Sequence, residues 1–166
     1  MSQQEFWLSG PIAHVPVLLQ PSAHALLQSV REIKEYLIDF PEEKLWLKPF
    51  GRAAIGFHLQ HLTGVLDRML TYAQGKPLST NQFEFLKNEG NATSQKSSME
   101  MIVEFESKVQ EALSFFKTVP ESSLTEVRTV GRKKLPSTVI GLLFHAAEHS
   151  QRHVGQLLVT ISALKE

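Results

Sequence analysis

Five of the seven histidines fall in two short windows, His58 and His61 in one and His145, His149 and His153 in the other. The second window has the spacing i, i+4, i+8. On an α-helix, at about 100° per residue, those three side chains project within about 80° of one another, each a turn above the last. Two imidazoles at i, i+4 chelate one cation, and a third from a facing helix completes a three-nitrogen site with open positions for water or substrate. Leu142 and Gln156 share the arc, which puts the row at or beside a buried stripe. His-x-x-x-His alone is a weak pattern, and a lone helical histidine is usually a hydrogen-bonded core residue. Three in register are harder to house that way, because each buried imidazole would need its own polar partner.

Other chemistries find less support. The chain has no cysteine, so disulfides, thiolate metal sites and a cysteine nucleophile are excluded. Di-iron bundles need inward Glu-x-x-His motifs, and neither histidine window contains one. His-Glu-x-x-His, a glycine-rich phosphate loop and a nucleophile elbow are absent too. Seventeen basic residues balance seventeen acidic ones, which argues against nucleic acid or an anionic membrane as partner. The basic run Gly131-Arg132-Lys133-Lys134 reads as a solvated turn. Residues 1–10 lack the basic and apolar regions of a signal peptide, and no apolar run reaches the ~20 residues of a membrane span. The expected compartment is the cytoplasm.

The elements that must position the histidines follow from apolar spacing and from proline and glycine stops. The 166 residues are expected to form one domain, with residues 1–20 an irregular lead-in broken by Gly10-Pro11 and Pro16. A first helix opens at Pro21-Ser22, carries Leu26, Val30, Ile33 and Leu37 on one face, and is stopped by Pro41. Residues 39–52 read as a loop whose Leu45, Trp46 and Leu47 dock on the core. The second helix runs from Ala53 to about Gln74 and ends at Gly75-Lys76-Pro77. Residues 76–96 read as a polar loop with a short helical turn at Phe83 to Lys87. A third helix starts at Ser97 or Ser98, with Met101, Ile102, Phe105, Val109, Leu113 and Phe116 on one stripe, and closes at Pro120. Residues 120–136 form a connector in which Leu124–Val127 has strand character but no clear partner. The last helix starts around Pro136-Ser137 and runs to about Leu164. The fold class is therefore all-α, a four-helix bundle with long connections.

The segment His145-Ala-Ala-Glu-His149-Ser-Gln-Arg-His153-Val-Gly-Gln156 resembles the H-x-x-x-H-x-x-x-H-x-G-Q stretch in the last long helix of DinB/YfiT-like proteins. Ala54-Ile-Gly-Phe-His-Leu-Gln-His61-Leu-Thr-Gly-Val-Leu-Asp-Arg68 likewise resembles that family's second-helix segment, and Tyr72-Ala-Gln-Gly75 fits the loop that follows. The resemblance implies that the ligands are the second-helix histidine and the last two of the final row, here His61, His149 and His153. It implies one divalent metal per chain, zinc first, with nickel, cobalt or manganese also acceptable to three imidazoles. His58, His145, Gln156 and Arg68 are then expected either to touch a ligand residue or line the pocket, or to be structural. Arg68 lies near the face of His61 and is expected to bind an anionic substrate group or to form a helix-surface ion pair. Glu148 where asparagine is frequent, Val154 where arginine is frequent, and no fifth helix after the fourth are departures that bear on the substrate and leave the ligands in place.

Three neutral imidazoles leave a divalent ion its full charge, enough to bring a bound water or thiol toward deprotonation near neutral pH. The resemblance implies a metal-dependent enzyme that transfers a low-molecular-weight thiol, and a homodimer. A metal-dependent hydrolase and a non-catalytic metal-binding stress-response protein are the alternatives. The sequence names no catalytic acid or base.

Overall fold

The computed structural model describes residues 4–92 and 96–165. Four long helices carry the core: α1 (Gln20–Tyr36), α2 (Ile55–Ala73), α4 (Ser98–Phe116) and α5 (Val139–Leu164). A short α3 (Thr80–Asn88) and an antiparallel hairpin of β1 (Val127–Val130) and β2 (Leu135–Thr138) fill the connections. The helix α5 packs against both α1 and α2, and α4 packs against the same two. The seam between α2 and α5 is where the two histidine windows meet. Leu59, Leu62 and Leu66 of α2 and Phe105 and Phe116 of α4 are fully buried, the apolar stripes that hold the bundle together.

Local chemistry explains where the helices begin and end. Ser97 caps α4 by accepting from the Glu100 amide while the Glu100 side chain reaches back to the Ser97 amide. Thr138 ends β2 and caps α5 at once, accepting from Gly141 N at 3.1 Å. The end of α2 is a Schellman motif: Gly75 N donates to Tyr72 O, Lys76 N donates to Thr71 O, and Gly75 sits at φ +72°. The start of α2, which carries His58 and His61, is pinned by the preceding loop. Gly56 N donates to Leu45 O at 3.0 Å, and the Trp46 ring lies so close that a Cβ on Gly56 would meet it at 2.7 Å.

Three expectations are corrected. The first helix ends at Tyr36 rather than at Pro41, because Asp39 turns at φ +54°; Leu37 and Phe40 remain buried beyond the helix. Residues 80–88 form a full short helix rather than one turn, started by a reciprocal Ser79–Gln82 capping box. The strand-like connector does find a partner: Val127 pairs with Thr138 and Val130 with Leu135, with the basic run forming the exposed turn. The last helix therefore begins at Val139 instead of Pro136. Among the described residues no helix is long and apolar enough to cross a membrane.

Candidate metal centre

Positions 58 and 61 lie about one turn apart on α2, facing positions 149 and 153 on α5. The result is a packed group of four imidazoles. His61 Nε2 lies 2.9 Å from His149 Nε2, and His58 Nδ1 lies 2.9 Å from His153 Nδ1. The ring of His153 is 4.5 Å, centre to centre, from those of His61 and His149. His61, His149 and His153 each offer one nitrogen within 4.8 Å of the others. Nitrogens sharing a tetrahedral zinc ion at ~2.0–2.1 Å stand about 3.3 Å apart. The set is thus already gathered to within 4.8 Å, near the spacing an ion would impose.

Two of the three rings are oriented from behind. His61 Nδ1 donates to Glu89 Oε2 at 2.7 Å, and the other carboxylate oxygen accepts from Arg68 Nη1 at 2.6 Å. His153 Nδ1 is engaged by His58. In both rings Nε2 is the atom left for an ion, the arrangement by which a partner fixes the tautomer of a metal-binding histidine. Phe57 stacks on His61 with ring centres 5.2 Å apart and planes 14° from parallel. His149 Nδ1 is buried with no partner among the described residues, so the imidazoles alone do not satisfy one another. A nitrogen-only donor set, oriented and partly unsatisfied, fits a divalent metal ion.

Burial is the main reason that His58 and His149 are lowered to about 4 and His153 to about 3, with repulsion between neighbouring imidazoles adding to it. These rings are neutral at physiological pH, as metal ligation requires.

The remaining expected residues fall around this group. His145 is half-exposed and bonds Glu148 at 2.7 Å, while Glu148 also accepts from Arg152 at 2.6 Å. His145, Glu148 and His149 are close enough to hold an ion too, but Arg152 already occupies the carboxylate and the position is open to water. Gln156 is exposed and borders a cleft beside His58. Arg68 is buried and borders a different cavity, of about 230 Å³, with Asp67, Gln82 and Lys108. Its guanidinium donates to Glu89, so it acts on the centre through that carboxylate. Glu89 is the residue that sequence reasoning missed. Its one local signal is Gly64, where a Cβ would stand 2.2 Å from Glu89 Oε1.

Comparison with known proteins bears on the whole arrangement. The family model of the DinB superfamily matches residues 21–157, which include all four clustered histidines. A crystal structure of a Streptococcus pneumoniae protein superposes with a TM-score of 0.64, covering 87% of this chain and 88% of that one at 13% identity. That likeness is one of fold. No curated protein matches the chain.

Proposed function

The chain belongs to the DinB superfamily, and on that premise we propose that it is a metal-dependent enzyme acting as a low-molecular-weight-thiol S-transferase. The observation that carries the proposal is the donor set: three imidazoles, from His61, His149 and His153, converge with no carboxylate among them. When bound there, a divalent ion supplies Lewis acidity that favours the anion of a thiol or of water. Zinc is the proposed occupant in the cell, and nickel, cobalt and manganese suit the same nitrogens.

The protein's own residues prepare the site. Glu89 and His58 hold His61 and His153 with Nε2 turned inward, and Phe57 covers one face of His61. A cleft of about 580 Å³ beside His58 offers room for an organic substrate, which favours an enzyme over a metal store. The choice of a thiol rests on the family resemblance.

The test uses protein purified without a nickel column. Elemental analysis should find about one divalent ion per chain, the count a single three-histidine centre implies. Fewer than about 0.2 equivalents after reconstitution with each ion would leave no stoichiometric centre. In the cobalt-loaded protein, an added thiol should produce a sulfur-to-metal charge-transfer band. The chain has no cysteine, so such a band can come only from the added thiol. A cobalt spectrum unchanged by cysteine, glutathione or other small thiols refutes the thiol assignment.

A further inference from the structure

Beside the imidazole group, between the start of α2 and the C-terminal half of α5, lies a cleft of about 580 Å³. Its volume falls within the ~300–1,000 Å³ of small-molecule sites. Arg52 and Arg152 line it, and none of its lining residues is acidic. The Arg52 side chain has no hydrogen-bond or ion-pair partner among the described residues. Arg152 keeps one bond, to Glu148 outside the lining, which leaves other guanidinium N–H groups to donate.

His58 forms the inner wall and is only 2% exposed. Its Nδ1 meets His153, and its Nε2 has no partner among the described residues. This ring connects the cleft to the metal centre. If His153 turns its Nε2 lone pair to an ion, its proton sits on Nδ1 and is donated to His58 Nδ1. Neutral His58 then carries its own proton on Nε2, as a donor toward the cleft. With the centre loaded, the cleft presents two cations and an imidazole N–H, and no anion.

We propose that this cleft binds a small organic anion, its carboxylate or phosphate group held by Arg52 and Arg152 and hydrogen-bonded by His58. Guanidinium groups bind both oxyanions through paired N–H donors, and a concave wall of one charge sign concentrates such ligands. The part that links the cleft to the metal rests on the metal reading above; the anion site itself stands on the cleft and its arginines. Because His58 is fixed as a donor by the ion, anion and metal strengthen each other's binding reciprocally.

Calorimetric titration of the full chain, with and without zinc, using succinate and separately inorganic phosphate, tests this. Binding is expected to the zinc-loaded protein, and Arg52→Gln and Arg152→Gln should each weaken it about tenfold, the scale of a lost charge-assisted bond. Lys133→Gln, on the exposed hairpin turn, removes the same charge and should change nothing. Gly155→Leu tests the cleft without touching charge, because a side chain there enters open space and should block the ligand. Succinate bound in preference to phosphate assigns a carboxylate, and the reverse assigns a phosphate. Zinc uptake with neither anion bound, or binding indifferent to both arginines and to Gly155→Leu, overturns the proposal. Anion binding by a protein that takes up no zinc supports the cleft and defeats the metal reading alone.

Discussion

Glu89→Gln separates the two jobs of the buried carboxylate. The Glu89 and Arg68 side chains are 5% and 8% exposed, so their 2.6 Å pair is little screened by solvent. Removing one charge of such a pair costs about 3–5 kcal/mol when the other is stranded. Glutamine keeps a carbonyl acceptor, which puts the expected loss of apo stability near the lower end. Glu89 also accepts from His61 Nδ1, and losing a carboxylate behind a metal-binding histidine weakens metal affinity by about 10–100-fold, or about 1.4–2.8 kcal/mol. Urea unfolding of the apo protein reads the first effect, and zinc competition against a chelator reads the second. Adding Arg68→Met should restore much of the apo stability by removing the stranded cation, and should leave zinc affinity low. If Glu89→Gln binds zinc within about threefold of the parent, well short of the loss expected for such a carboxylate, the orienting role is refuted and only the ion pair remains.

Alanine at His61, His149 or His153 should each abolish most zinc binding, His58→Ala should give a smaller loss, and His145→Ala should leave affinity nearly intact by chelator competition; equal damage from His145→Ala and His149→Ala would move the ligand pair one turn earlier. Gly64→Ala should destabilise the apo protein by about 1–3 kcal/mol despite alanine's better helix propensity. It should also weaken zinc binding, because its Cβ would displace Glu89; unfolding and chelator assays that find it neutral in both contradict this. Apo stability should be flat above the free-imidazole value of about 6.5 and fall toward pH 4. Over that range the unfolded chain takes up protons that native His58, His149 and His153, lowered to about 4, 4 and 3, do not. Thermal melts that do not change between neutral pH and the mid-point of that window would contradict the assignment. A homodimer is proposed, and light scattering that returns the monomer mass refutes it.

The long helices were readable because each buries a stripe spaced for a helix and stops at a proline or glycine, as α2 does at Gly75. The short α3 lacks such a stripe, and all nine of its residues retain some exposure. Its signature was the Ser79-x-x-Gln82 capping box, which is visible in the sequence but carries less weight without an apolar run behind it. The hairpin was missed for a related reason. No residue of either strand is fully buried. Although β1 alternates between exposed and half-buried positions, its half-buried positions hold Arg128 and Val130 while Val127 faces out, so no apolar–polar alternation marks it. Pro136, which resembles a helix start, sits instead within β2, a position compatible with an edge strand.

Helix geometry relates His145, His149 and His153 locally as one row, while the choice of His61, His149 and His153 as candidate ligands came from the family resemblance; the structure brings those three together. The residues that orient them are a different matter. His58 reaches His153 across 95 positions of chain, and Glu89 reaches His61 across 28; neither spacing has a period to detect. Arg68 is an example. Its place two turns after His61 puts it on that side of α2, and from the helix alone it could serve an anionic substrate group or an ion pair. The end of α3 brings Glu89 against it, so the charge is paired inside the protein, and the pair is buried instead of lying on the helix surface. In the reading proposed above, the cations offered to a substrate anion are Arg52 and Arg152, which line the cleft at His58 and not the cavity that Arg68 borders. That assignment follows from the contact between Glu89 and Arg68, and one mid-helix glycine, Gly64, is what leaves room for it.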